Sequence, residues 1–329
     1  MNRVKIFLKG ISGSSWAGIA LIVFFAVVVD NYLGSRNLMN ILRSTSALVV
    51  VSVGMTMAIL LGEIDMSVGG VITIAATLAG IYMQAHETVT VGTVIIAVVI
   101  CCLVGLAFGM FNGFMIGMKQ FNFWLVTFGS MSISFGLAKG VTNGGVISGF
   151  DKKFQWISTG RVLGISTCII WSVILCVIAV LVLYKTKFGL HIYAIGDSEI
   201  CAANSGINVK RTRFWVYAIS GLTAGLAAVL LLARTNSAGA TIGEGYEFSA
   251  IAAVVIGGTA MEGGKGGFKG TIFGAIFISA MKNGLQLIGL SNYWQQVLLG
   301  VVIIAIILYD VINAKVRFKK SLRRVYSEG

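Results

Sequence analysis

The stretch ALVVVSVGMTMAILLGEIDMSVGGVITIAATLAGIYM, residues 47–83, decides how this chain must fold. Two apolar runs, at about 47–61 and 68–83, are parted by GEIDMSVGG (62–70), and that break carries Glu63 and Asp65. Apolar runs of this kind read as membrane-spanning helices. Those shorter than ~18 residues imply helices that are tilted, broken at Gly or extended by polar residues. Outward from this stretch, runs recur at about 17–29, 89–114, 121–138, 168–184, 214–232, 248–259, 270–288 and 293–308, which makes ten in all. At ~20 residues per span, ten helices use about 200 residues, close to the hydrophobic 57% of the 329-residue chain.

Composition agrees. Only 11% of the residues are charged, against ~25% in soluble domains, and the mean hydropathy is +0.91. A soluble enzyme, a nucleic-acid-binding domain and a disordered chain are excluded. The fold class is all-α: a polytopic inner-membrane protein of about ten transmembrane helices, built as one domain over 1–329. The start, MNRVKIFLKG, is basic, and no small-x-small cleavage site follows the first run, so it reads as an uncleaved first helix. The five cysteines lie mostly in apolar runs without metal-ligand spacing and there are two histidines; they read as small core residues, with no metal site.

The net charge of +13 reflects basic cytoplasmic loops and anionic lipid rather than nucleic acid. With the N-terminus inside and ten spans, 17 of the 25 Lys and Arg fall on inner segments: Arg3, Lys5, Lys9, Lys119, Lys185, Lys187, Lys210, Arg211, Arg213, Lys265, Lys269 and six in the tail. This bias places both termini, including the basic tail at about 313–329, in the cytoplasm. Proline is absent, although ~5% usage predicts about 16. An unusual lineage or a removal of proline explains this, and the sequence reads as removal. Helix breaks must then fall at glycine, and Gly62, Gly69, Gly70, Gly257 and Gly258 are the candidates for breaks and close packing.

A faint repeat is visible. Asp65-Met-Ser67 and Glu247-Phe-Ser249 each open an apolar run followed by a Gly-rich pair containing Asn-Gly, at Asn112 and Asn283. Five spans separate the copies, so they would be inverted in the membrane, a five-plus-five plan common in transporters. Ionisable groups at such depth face a partner or a water-filled path, or cap the next helix. Asp65, Ser67, Glu247 and Ser249 are therefore candidates for a translocation path or gate. Gly263-Gly264-Lys265-Gly266 is not a phosphate loop, because position 259 is Thr and no Ser or Thr follows Lys265. No cofactor site exists in this chain. The inner loop 185–213 mixes charge with apolar residues in a way that suits a short amphipathic helix docking on a cytoplasmic partner.

Four segments, GMTMAILLGEIDMSVGG (54–70), FGLHIYAIGDSEICAANSGINV (188–209), GEGYEFSAIAAVVIGGTAMEGGKG (243–266) and NGLQLIG (283–289), together resemble the permease subunits of sugar-importing ABC transporters of the ribose type, with branched-chain amino-acid permeases as more distant relatives. The resemblance runs in order over nearly the whole chain. It departs at Gly62-Glu63, Met66, Phe248-Ser249 and Asn122-Phe123-Trp124, where the family pattern has other residues and, near 122–124, a proline. It implies a bacterial inner-membrane permease that translocates a monosaccharide into the cytoplasm. Its partners would be a second permease copy, a cytoplasmic ATPase subunit that binds ATP and Mg, and a periplasmic sugar-binding protein. It also implies that Gly196, Glu199, Ala202, Ala203, Ser205, Gly206 and Ile207 form the ATPase-docking segment. The chain itself would be no enzyme. The rival readings are a secondary transporter coupled to H⁺ or Na⁺ through Asp65 or Glu247, a permease for a branched-chain amino acid or nucleoside, and a non-transporting membrane scaffold.

Orientation is testable directly. Single cysteines placed in 185–213 and in 315–329 are expected to react with an impermeant thiol reagent only from the cytoplasmic side; reaction of both from outside would overturn the ten-span arrangement.

Overall fold

The computed structural model describes residues 23–86, 88–305 and 308, and these are predominantly helical. A helical stretch at 23–28 is followed by α1 (Ser35–Leu60), α2 (Val68–Gln84), α3 (Val91–Gly113), α4 (Phe123–Thr142), a short α5 (Lys152–Thr159) and α6 (Thr167–Lys185). Then come α7 (Lys187–Asp197), α8 (Glu199–Asn204), α9 (Val209–Thr235), α10 (Tyr246–Ile256), α11 (Phe268–Leu287) and α12 (Asn292–Ala305). Among the described residues strands are limited to two-residue pieces: β1 (Ile147–Ser148) pairs antiparallel with β4 (Ser237–Ala238), and β2 (Arg161–Val162) with β3 (Ile165–Ser166). The basic tail and residues 17–22 of the first apolar run lie outside the described residues. Each of the other nine runs coincides with helix over most of its length.

Among the described residues, four helices are long and apolar enough to cross a membrane, and burial sorts them into two kinds. In α1 and α9, 83% of the most apolar window is buried, whereas in α3 and α6 the shares are 22% and 28%. The first pair forms the centre of the bundle. The second turns an apolar face outward, with Leu103, Phe111, Val173 and Ile178 exposed. Side chains of that kind suit lipid, where helices hydrophobic on their outer face lose nothing by exposure.

Close approach at the centre comes from glycine. Gly105, Gly109, Gly113 and Gly117 recur every fourth residue along α3 and the π-helical turn that extends it, Phe114–Met118. A Cβ at each would run into the α9 backbone at Gly221 and Gly225, Tyr217 and Gly221, Phe214, and Lys210 respectively. Residues four apart share a helix face, so this row lets two backbones touch, as small residues do between membrane helices. Gly221 and Gly225 return the fit from the α9 side.

The chain leaves helical geometry at two places that mirror each other. Gly62, at φ +80°, ends α1, and the chain turns back through 63–67 into α2, which runs on until Gly80 meets Ala238 and Phe150 at the strand-bearing end. In the second half the chain re-enters through 239–245 from that same strand-bearing end, and α10 then runs the other way until Gly257 packs on Gly270. The two starts meet: a Cβ on Gly243 would strike Gly69 O, and Gly243 N donates to Thr73 Oγ1 at 3.1 Å. Two half-helices thus begin at one level and run in opposite directions, as an inverted repeat requires. The paired asparagines diverge. Asn112 sits in the first-half core, while Asn283 accepts from Asn37 at 2.9 Å.

The glycine expectations divide. Gly62 and Gly258 (φ +84°) do end helices. Gly69 and Gly70 lie inside α2 and act by close packing instead, Gly69 against Glu247 and Gly70 against Met131 and Ser134 of α4. The start of α4 also locates where proline is compatible. Asn122 is the N-cap and its Oδ1 accepts from Trp124 N at 2.9 Å, so a proline at 124 would remove that cap bond. Phe123 is the first helical residue, where proline's fixed φ and missing N–H are tolerated. Phe123→Pro is expected to cost no more than ~1–2 kcal/mol, from loss of a half-buried ring packed on the core rather than from the backbone. Ala228→Pro, in the buried middle of α9, should cost ~3 kcal/mol or more. Melting of the two purified variants in detergent decides it, and the reverse order would overturn this account of the α4 start.

Candidate functional site

The break between α1 and α2 is held by a buried polar network. Asp65 is fully buried. Its Oδ1 accepts from Ser67 N at 3.0 Å and from the Ser67 hydroxyl, and its Oδ2 accepts from Ser220 Oγ of α9 at 2.7 Å. Ser67 Oγ in turn accepts from Asn112 Nδ2 of α3 at 2.9 Å, and Asn112 Oδ1 accepts from Ser130 Oγ of α4. Five side chains from four segments therefore close around the point where the helix stops. Buried polar groups are stable only when so paired. Asp65 thus both satisfies freed backbone, as a capping residue does, and ties α2 to α9.

The second-half counterpart is built differently. Glu247, buried in the first turn of α10, accepts from Gly245 N at 3.3 Å through Oε1. Its Oε2 lies where a Cβ of Gly69 would be, in the first turn of α2. One carboxylate is therefore set between two helix N-termini, whose partial positive charge favours an anion. Ser249 donates to Gly245 O at 2.7 Å, and Lys282 Nζ of α11 donates to Ser249 Oγ at 2.7 Å. Lys282 is an intramembrane cation that sequence reading left unassigned. Its inward direction depends on the packing of α11 on α10.

All four expected path residues are buried within the chain: Asp65 0%, Ser67 1%, Glu247 4% and Ser249 1% exposed. Asp65 and Ser67 share one network, Glu247 and Ser249 another, and Gly69 joins the two through Glu247. They occupy the bracket that holds the half-helices. Ser220, Asn112 and Ser130 complete that bracket; Asn112 was marked by the Asn-Gly of the repeat, and Ser220 and Ser130 only as single polar residues inside apolar runs.

At the end where α1 and α10 finish, the loop 186–208 folds into two helices. Thr186 caps α7, whose Gly189, Ile192 and Ile195 face inward, and Ser198 caps α8 through Cys201 N at 3.3 Å. The loop is anchored by Gly196, which packs on Leu60 O and Gly264 N, and by Tyr193 donating to Gly266 O at 2.8 Å; Gly264 N itself donates to Leu60 O at 2.9 Å. Burial and the neighbouring Tyr184 push the Tyr193 phenol above its ordinary range, which keeps it a donor. The expected docking residues therefore split. Gly196 and Ala202 pack inward and Ile207 is half-buried, while Glu199, Ala203, Ser205 and Gly206 are exposed. Ile200, 75% exposed on α8, is an apolar side chain offered outward. Gly206 meets nothing but holds φ +82°, so a bulky residue there acts through backbone strain. Arg213 Nη1 and Nη2 donate to Glu199 at 3.0 and 2.8 Å, and its Nε lies 2.5 Å from Glu63 Oε1 as an ion pair. Among the described residues no group of three or more His, Cys, Asp and Glu side chains could hold a metal ion.

An all-helical bundle with two opposed half-helices and a helical loop at one end has the architecture of a transport protein's membrane domain. The profile of the family described as the branched-chain amino acid transport system / permease component matches residues 37–307, and the chain belongs to that family. It is 37% identical to the ribose import permease protein of Escherichia coli K12, over 89% of this chain and 92% of that one. The ribose import permease protein of Bacillus subtilis is 36% identical, over 88% and 89%, and the D-allose transport system permease protein of E. coli K12 is 31% identical, over 90% of each. No solved structure matches the fold.

The bracket makes a clear demand on Gly69. Gly69→Ala places a methyl on the Glu247 carboxylate and is expected to cost ~1–3 kcal/mol by overpacking. Asp65→Ala, which strands the Ser220 hydroxyl and Ser67 N–H, should cost at least ~1–3 kcal/mol. Ser132→Ala on the exposed face of α4 should change nothing measurable. Detergent melting of the three checks this, and a Gly69→Ala protein as stable as Ser132→Ala would show that the half-helices do not meet there.

Proposed function

We propose that this chain is the permease subunit of an ATP-binding-cassette importer that moves a monosaccharide into the cytoplasm across the bacterial inner membrane, with both termini inside. The observation that carries the reading is the joining of a ribose-permease-like sequence over nearly the whole chain to a fold in which the end of α1 rests on an exposed helical loop. ATP and Mg are held, and ATP is hydrolysed, in a separate cytoplasmic subunit. That subunit engages α8 and its C-cap through Ile200, Ala203 and Ser205. A second permease copy and a periplasmic sugar-binding protein complete the assembly. A sugar is neutral, so hydrogen bonds suffice to pass it. The buried Asp65 and Glu247 serve by setting the position of the half-helices that gate the path.

The ion-coupled alternative asks Asp65 or Glu247 to exchange a proton or Na⁺ with water. Asp65 has no exposed surface and both its oxygens accept hydroxyl donors, an arrangement suited to a structural clasp. In proteoliposomes containing the permease, its co-purified ATPase and the binding protein, labelled ribose is expected to enter only when ATP is supplied on the ATPase side. Accumulation by the permease alone under an H⁺ or Na⁺ gradient would instead establish the secondary transporter.

A further inference from the structure

Arg213 stands in the second turn of α9 and holds carboxylates from two separate segments. Glu199 is the first residue of α8, with 49% of its side chain exposed, and the guanidinium grips it in a two-pronged pair. Glu63 belongs to the break after α1, with only 7% of its side chain exposed, and Arg213 Nε pairs with its Oε1. One guanidinium thus bridges an exposed helix and a buried break. Bidentate pairing by a planar fork is the arrangement that fixes geometry as well as charge.

Two further features adjoin the bridge. Glu63 Oε2 is buried and has no hydrogen-bond partner. A polar cavity of about 370 Å³ adjoins the three side chains and is also lined by Gly62, Gln120 and Glu262. An orphaned buried carboxylate oxygen is costly, and the donors beside Glu63 are the Arg213 guanidinium and the buried Tyr217 hydroxyl of the same helix, which also has no partner among the described residues. Seven residues further along α9, on the same face, Ser220 holds Asp65. The break is therefore clamped to α9 at two levels, and only the outer clamp is shared with α8.

We propose that Arg213 is a two-position latch. It is shared between Glu199 and Glu63 in this conformation, and it closes as a bidentate pair on Glu63 when the ATPase draws α8 away. Arg213 and Glu63 are then positioning residues that convert displacement of the docking helix into displacement of the α1–α2 break. This rests on the permease reading, and the two are read separately: ribose uptake by the wild-type assembly tests the permease, and variants measured relative to it test the latch.

The quantity to measure is ribose moved per ATP hydrolysed in proteoliposomes holding the complete assembly. Glu199→Gln weakens the outer arm at an exposed position, and Arg213→Lys keeps the charge but loses the fork. Both are expected to lower the ratio about fivefold or more, the low end of coupling between linked sites, while hydrolysis continues. Glu262→Gln, on the same cavity and outside the triad, is expected to leave the ratio at the wild-type value. If Arg213→Lys does not insert, Glu199→Gln alone carries the test. Uptake and hydrolysis falling in step, as for a mere docking contact, or a Glu199→Gln ratio equal to wild type, would each overturn the latch.

Discussion

A backbone that stops being helical within an apolar layer must have its freed N–H and C=O groups satisfied by protein, and this constraint organises the molecule. At the first break the satisfying groups are the Asp65 carboxylate for Ser67 N and the Gly264 N–H for the Leu60 carbonyl. At the second they are Thr73 for Gly243 N and Glu247 for Gly245 N. Two of these four bonds cross between the halves of the chain. The breaks are therefore not independent local features: each half supplies part of what the other lacks.

The same constraint explains the placement of glycine. Satisfying a break from a neighbouring helix needs backbones within hydrogen-bond reach, and side chains would hold them apart. Gly69 and Gly243 open that space where the half-helices start, Gly196 opens it where the loop rests on α1, and Gly257 and Gly270 do the same where α10 leaves for α11. The glycine row of α3 on α9 presses the two helices together and so fixes Ser220 and Arg213 opposite Asp65 and Glu63. Packing of residues with no chemistry thereby sets the position of those that have it.

Much of this was legible beforehand. The polytopic helical class, the helical loop at 186–208, and Gly62 and Gly258 as helix ends follow from apolar run length, amphipathic pattern and the absence of proline. The pairing of Asp65-Met-Ser67 with Glu247-Phe-Ser249 was legible as well, since both triplets open half-helices that meet. Gly69 and Gly70, candidates for breaks or close packing, could not be divided between the two from sequence, because a Gly-Gly pair looks the same whether the backbone turns or another backbone approaches. Lys282 and Arg213 carried no motif, and Glu63, though it stood beside Asp65 in the break, had no partner that the sequence could name. A lone cation in or beside an apolar run does not announce its partner, and Arg213 was counted simply as a charge that orients the chain.

By itself the sequence determined that the chain lives in a membrane, how many apolar runs it offers and which triplets repeat, because burial in lipid is a property of composition and run length. Only the tertiary structure decided which carboxylate faces which donor. Asp65 meets hydroxyls, Glu247 lies between two helix starts, and Glu63 shares a guanidinium with Glu199. The reason is physical: a hydrogen bond is fixed over a few tenths of an ångström, and such distances between residues 150 positions apart are set by how closely two glycine-faced helices can pack, which no local pattern encodes.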